Sequence, residues 1–166
     1  MEAVFQRLKG VKSVTSGFSG GFVKNPSYKQ VCMDNTGHAE VIQIIYDPQQ
    51  ISYAELLKVF FTVHDPTTLN RQGADEGEQY RSVIFYRNND QYKLAKKIIG
   101  DIQRERVYDN PIVTQLSAYK DFYPAEAYHQ NYYNRNRDKG YCKMVIQPKL
   151  EKFEKIFKKY LRQSND

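Results

Sequence analysis

Tryptophan is absent from the 166 residues, and cysteine occurs only twice, at Cys32 and Cys142. Two thiols cannot build a disulfide framework. No apolar run approaches the about 20 residues of a membrane span, and no secretory-type apolar segment lies in the opening stretch. The chain is therefore expected to be cytoplasmic, with both thiols reduced. Three histidines and two cysteines lack the spacing of a zinc site, and neither a phosphate-cradling glycine motif nor a serine elbow is present. There are no internal repeats or low-complexity segments. No Pro/Gly/Ser linker divides the chain, so a single domain over 1–166 is expected, long enough for a real core.

What is present in excess is the aromatic ring with a polar tip: 14 tyrosines stand beside 9 phenylalanines. Tyrosine suits polar pockets as well as cores. The net charge is +6, from 25 basic and 19 acidic residues. The tail from Lys143 to Asp166 holds seven basic residues against three acidic ones and so supplies four of those six charges. A basic tail helix is usually a solvated face. Its use against single-stranded nucleic acid is the alternative from a different functional class.

The patterning alternates between strand and helix without a strict βαβ rhythm. Residues 2–9 read as a helix burying Val4, Phe5 and Leu8, ended by Gly10. "VKSVTSGF" reads as a strand and "SGGFVKNPSYKQ" as a loop. Residues 38–47 alternate in both registers with apolar residues on each face, the pattern of a central strand covered on both sides. Ser52 to Glu55 forms a capping box before a helix burying Leu56, Val59, Phe60 and Val63. Residues 64–80 show no element of their own, and a loop of that length in a compact domain suggests function. "RSVIFYR", "DQYKLAKKIIGDIQRERV" and "PIVTQLSAY" read as strand, helix and strand. Pro124 is placed to open a short helix. A tail helix over 149–161 carries the stripe Leu150, Phe153, Ile156, Phe157, Tyr160 and Leu161. The expected class is α+β, a two-layer α/β sandwich with a mixed, ferredoxin-like sheet.

Glu40 is out of place in that frame, because a carboxylate at the mouth of a buried strand must be bonded, paired or held neutral. Tyr28, Asp75, Tyr80 and Cys142 likewise stand at element ends. Each has a plain structural reading: a loop aromatic, a solvated turn, a strand-start residue, a small buried thiol. Taken together, one buried acid and several hydroxyl donors make equipment for protonating or polarising a substrate oxygen.

At this point the chain resembles the type A peptide methionine sulfoxide reductases. The resemblance is carried by "NPSYKQVC", "TGHAEVIQIIYDP", "HDPTTLNRQGADEGEQYRSVIFY", "FYPAEAYHQNY" and the late "GYC". It implies thiol-dependent reduction of methionine S-sulfoxide, peptide-bound or free, to methionine. It implies Glu40 as the acid at the sulfoxide oxygen, with Tyr28, Asp75 and Tyr80 around it. Cys142, in the segment 142–166, resembles the resolving cysteine that forms a disulfide. Thioredoxin or dithiothreitol is then the external reductant, with no bound cofactor or metal. Oxidised proteins, free methionine S-sulfoxide and thioredoxin are the implied partners, and a monomer is expected.

The family's nucleophile lies in a Gly-Cys-Phe-Trp motif, which this sequence does not contain, so no residue here matches it. The expectation is an N-terminally shortened reductase, less stable than a form with the motif restored. A methionine or methionine-sulfoxide binding protein without turnover is the alternative. Cys32 and Cys142 are the remaining thiols that could take the nucleophile's part. Cys32 is expected to be buried and inert. Cys142 sits in a basic context, "NRDKGYCK".

Overall fold

The computed structural model describes residues 1–163, which fold into two compact units. The first comprises Met1–Ser16, Ile42–Val63 and the described residues from Ala125 on, and the second Gly17–Val41 and His64–Pro124. Strands β1 (Val11–Ser19) and β2 (Ala39–Tyr46) each run from one unit into the other. The composition is α+β: helices and short strands occur together, with antiparallel and parallel pairs in separate small sheets.

The first unit is organised by hydrocarbon. Helix α1 (Glu2–Phe5) buries Ala3, Val4 and Phe5. Helix α3 (Tyr53–Val63) turns Leu56, Leu57, Val59, Phe61 and Val63 inward, and helix α6 (Gln147–Ile156) adds Leu150 and Phe153. The Ser52 hydroxyl accepts from the Glu55 amide at 3.1 Å, satisfying one of the orphan donors at the start of α3. Phe60 is only half-buried, so the face of α3 is rotated from the expected one toward Phe61.

Helix α1 stops four residues before Lys9 because the following backbone is used elsewhere. Leu8 forms a β-bridge with Leu161, and the Lys9 amide donates to the Tyr160 carbonyl at 2.7 Å. The tail helix also ends earlier than expected, at Ile156, and a short 3₁₀ turn over Lys158–Tyr160 leads into that bridge. Within the stripe, Leu150, Phe153 and Phe157 are buried while Ile156 is exposed.

Pro124 does not open a helix. It closes strand β7 (Phe122–Pro124), opposite Gly17 of β1, a strand end where a missing N–H is tolerated. The Gln130 side chain then holds the Ser16 backbone from both sides, accepting from its amide at 2.9 Å and donating to its carbonyl at 2.8 Å. The helical pattern beyond Pro124 is broken by left-handed Asn131 into a 3₁₀ turn and helix α5 (Tyr132–Arg135).

Strand β2 is not central. The larger sheet has the order β2-β1-β7, which leaves β2 at an edge among the described residues, with Ile45 exposed. In the second unit β5 (Val83–Tyr86) pairs in parallel with β6 (Gln115–Ala118), flanked by helix α4 (Asn89–Arg104). Gly100 is tolerated in α4 because its position faces open space. Among the described residues no helix is long and apolar enough to cross a membrane.

Candidate active site

Two stretches expected to be irregular turn out to be built. The first contains helix α2 (Tyr28–Cys32), opened by a capping box in which Ser27 accepts from the Gln30 amide at 3.2 Å. The Gln30 side chain in turn accepts from the Ser27 amide at 2.8 Å. The signal was present in the sequence as Ser27-x-x-Gln30.

The second stretch, 64–80, carries a two-stranded hairpin, β3 (Arg71–Gln72) with β4 (Asp75–Glu76), and a 3₁₀ turn over Glu78–Tyr80. The Gln72 side chain clasps the Asp65 backbone at both its amide and its carbonyl, each at 3.0 Å. The Asp65 carboxylate accepts from the Thr67 amide at 2.9 Å. Asp75 and Tyr80 are therefore held on an ordered frame, not on a slack loop.

The Gly-His-Ala-Glu segment is fixed from two directions. His38 is buried; its Nδ1 accepts from the Gly21 amide at 3.0 Å and its Nε2 lies 2.7 Å from the Val23 carbonyl, which sets the tautomer with the proton on Nε2. Gly21 must be glycine, because a Cβ there would run into the Thr36 carbonyl and the His38 ring. The Arg81 guanidinium donates to the Gly37 carbonyl and to the Glu78 carbonyl, each at 3.0 Å. One cation thereby ties the Tyr80 turn to the chain three residues before Glu40.

Glu40, Tyr28, Asp75 and Tyr80 all belong to the second unit, whereas Cys142 belongs to the first. The Glu40 Oε1 atom is buried and has no hydrogen-bond partner. Burial, and then the negative charge of Asp75, push its carboxyl from the usual carboxylate range up to about 7. The Tyr80 hydroxyl is pushed up to about 12 by burial and by the charges of Glu40, Asp75 and Cys32. Tyr28 rises further, chiefly because its hydroxyl donates to the Cys32 sulfur one helical turn on, with burial second. Near neutral pH the arrangement is a proton-bearing carboxyl beside two phenol donors. That is a preorganised cradle for an oxygen carrying negative charge.

Of the two thiols, Cys32 departs from its expected setting, and Cys142 has the plain one, a small buried thiol. Cys32 is exposed, not buried, and stands beside the tyrosines. Cys142 is completely buried and begins a π-helical turn, Cys142–Ile146. Gln79, which nothing in the pattern singled out, is buried and bonds the Tyr80 hydroxyl through its side chain. Among the described residues no group of three or more His, Cys, Asp or Glu is placed to hold a metal.

Residues 1–161 match the family model described as peptide methionine sulfoxide reductase. The chain is 51% identical over 162 residues to "Peptide methionine sulfoxide reductase MsrA" of Chromobacterium violaceum, covering 98% of this chain and 92% of that one. It is 55% identical over 156 residues to "Peptide methionine sulfoxide reductase MsrA 1" of Rhodopirellula baltica, covering 94% of this chain and 80% of that one. Among solved structures, reduced Mxr1 from Saccharomyces cerevisiae superposes with a TM-score of 0.75 at 37% identity, over 80% of this chain and 76% of that one. Methionine sulfoxide reductase A of Corynebacterium diphtheriae gives 0.71 at 30% identity, over 82% and 69%.

Proposed function

The chain belongs to the peptide methionine sulfoxide reductase family, and we propose that Glu40, Tyr28 and Tyr80 form the part of its site that takes the sulfoxide oxygen. The reaction is the thiol-dependent reduction of methionine S-sulfoxide to methionine. The observation that carries the site reading is the Glu40 Oε1 atom, buried and without a partner. A buried carboxyl oxygen left unmet costs about 1–3 kcal/mol unless a ligand completes it. With its pKa raised to about 7, the same group holds a proton at neutral pH and can release it.

The sulfoxide oxygen gains negative charge as a thiolate attacks sulfur and the S–O bond weakens. Tyr80, protonated, donates to that oxygen, Tyr28 does so once its hydroxyl turns from the Cys32 sulfur, and Glu40 delivers the proton that makes it a leaving hydroxyl. Asp75 acts on Glu40 through its charge, keeping the carboxyl's affinity for the proton high. Cys142 is proposed as the resolving thiol. It starts buried, and the π-helical turn that begins with it is the local irregularity through which it would be released. Thioredoxin, or dithiothreitol in vitro, then reduces the resulting disulfide by exchange. The reading implies a compartment that keeps thiols reduced, such as the cytoplasm. Because the family match runs through both compact units, residues 1–166 are proposed to work as one domain, with the two-layer α/β sandwich as its scaffold.

Glu40→Gln keeps the shape and removes the transferable proton. Turnover of a methionine S-sulfoxide peptide at pH 7 is expected to fall about 10²–10³-fold, within the usual range for a general acid, while the melting temperature does not fall. Turnover within threefold of the parent would overturn Glu40's role.

A further inference from the structure

Gln79 is a polar side chain whose burial the fold itself does not explain. It is 6% exposed and sits in the 3₁₀ turn Glu78–Tyr80, directly before Tyr80. Its Oε1 atom is buried with no hydrogen-bond partner. The bond it makes to the Tyr80 hydroxyl therefore comes from the amide Nε2–H. An apolar side chain of the same size would fill the space without an unmet oxygen. The backbone is nevertheless shaped to hold this amide. The Tyr80 amide closes the turn on the Gly77 carbonyl at 3.0 Å, and the Gly77 amide ties it to the Asn70 carbonyl at 2.9 Å. Gly77 has a φ of +141°, and a Cβ there would run into the Gln79 side-chain amide.

We propose that Gln79 is a positioning residue for the sulfoxide site, holding the Tyr80 phenol as a hydrogen-bond donor to the substrate oxygen. This rests on the reading of Glu40 and Tyr80 given above. A phenol oxygen both accepts and donates. When it accepts from an amide it donates its own proton more strongly, because successive hydrogen bonds polarise one another. In the same direction, the Gln79 bond lowers the Tyr80 pKa against the burial and the carboxylate charges that raise it. Tyr28 is paired the other way round. Its hydroxyl donates to the Cys32 sulfur, so its proton is already committed to the protein. Tyr80 accepts from the protein and keeps its proton for the ligand. Gln79 makes that difference, and it does so without touching the substrate.

The test measures binding of a methionine S-sulfoxide peptide and of the same peptide carrying methionine, by calorimetry. The ratio of the two affinities reads the hydrogen bonds to the sulfoxide oxygen and requires no turnover. Tyr80→Phe should lower the ratio about tenfold, and Gln79→Met about threefold, with no loss of melting temperature in Gln79→Met. In the Tyr80→Phe background, Gln79→Met should change the ratio by no more than about 1.5-fold, because Gln79 acts through the phenol. Gln79→Glu reverses the bond once its carboxyl ionises and accepts the Tyr80 proton. Its ratio, taken against the parent at each pH, should fall as the pH rises from about 5 to about 9. That profile keeps the test decisive if Gln79→Met does not fold. An equal loss from Gln79→Met in both backgrounds makes Gln79 a packing residue and overturns the proposal. So does a pH-independent ratio in Gln79→Glu, or an unchanged ratio in Gln79→Met while Tyr80→Phe still lowers it. If Tyr80→Phe itself leaves the ratio unchanged, the reading of Tyr80 falls and this inference falls with it.

Discussion

In the unit built on α1, α3 and α6, the side chains hidden from water are almost wholly hydrocarbon: Phe5, Leu8, Ile51, Val59, Phe153 and Phe157 among them. In the other unit the buried apolar set shrinks to Phe18, Val31, Ala39 and Ala95 with the prolines Pro26 and Pro66. The polar side chains classed as buried, Ser19, Thr36, His38, Gln79 and Ser82, all fall there. Each style has its own physics. Hydrocarbon burial is non-directional and stabilises by roughly 25 cal/mol per Å². Buried polar groups add little net stability when satisfied, but they fix geometry, because a misplaced partner leaves a group unmet. His38, Arg81 and the Ser82 hydroxyl, which meets both His64 and Thr114 at 2.8 Å, use bonds of defined direction to set where Glu40 and Tyr80 stand. One unit is held by buried hydrocarbon; the other holds Glu40 and Tyr80 by bonds of defined direction.

The largest effect should come from cutting into the hydrocarbon. Phe153 has no exposed surface and stacks 5.5 Å from Phe157. Phe153→Ala is expected to lower unfolding stability by about 3–5 kcal/mol, from lost transfer energy plus the cavity. Denaturant titration measures this. The division of labour predicts that, under conditions where the variant is still folded, the Glu40 titration followed through sulfoxide binding stays where it was. A shift of that titration in folded Phe153→Ala would show that the two roles are not separable.

The site carries an opposite sign. Burial raises the Glu40 pKa from an unfolded value of 4.5 to about 7. Between those values the native state holds a proton that the unfolded chain has lost, so stability falls as pH rises through the window, and the loss is complete above about 7. The span corresponds to roughly 3 kcal/mol as an upper bound. Glu40→Gln, which mimics the protonated acid, should therefore match the parent near pH 4.5 and exceed its stability at pH 8 by up to about 3 kcal/mol, read as melting temperature against pH. A residue that weakens the fold at working pH while its removal abolishes turnover is the expected mark of a functional site. An equal difference at both pH values would mean that Glu40 does not titrate as its burial requires.

The same contrast explains what could be read from the residues alone. The hydrocarbon unit announces its elements through periodicity: the α3 and α6 stripes were legible, with errors confined to one face rotation and to ends. Those ends were set by partners far along the chain, such as Leu161 for Leu8 and Gln130 for Ser16. Periodicity carries no information about such partners. The polar unit is nearly silent to periodicity. Helix α2 and the 71–76 hairpin are too short to show a repeat, and their stability lies in side chain to backbone bonds from Ser27, Gln30, Gln72 and Asp65. Glu40 was legible because a carboxylate in an apolar strand breaks the pattern. Cys32 was misjudged because apolar neighbours in sequence, such as Val31, imply burial, while the helix turns Val31 inward and Cys32 outward.

The smallest expected effect is also the most direct check on whether the two units differ in burial alone. Each contains a helix capped by one side chain: Ser52 accepts from the Glu55 amide at 3.1 Å before α3, and Asn88 accepts from the Gln91 amide at 2.9 Å before α4. The chemistry of the two caps is the same, one oxygen meeting one orphan N–H of a first turn, and neither cap draws on what lies beneath its helix. Ser52→Ala and Asn88→Ala should therefore each cost about 1 kcal/mol, despite the hydrocarbon under α3 and the single fully buried residue, Ala95, of α4. Paired urea melts of the two variants decide it. Equal costs locate the contrast in the interior. A cost at Asn88 several times that at Ser52 would mean that α4, with so little apolar face to hold it, depends on its cap. The polar unit would then be marginal in its local structure as well as in its core, and hydrogen exchange in α4 should be the first to respond.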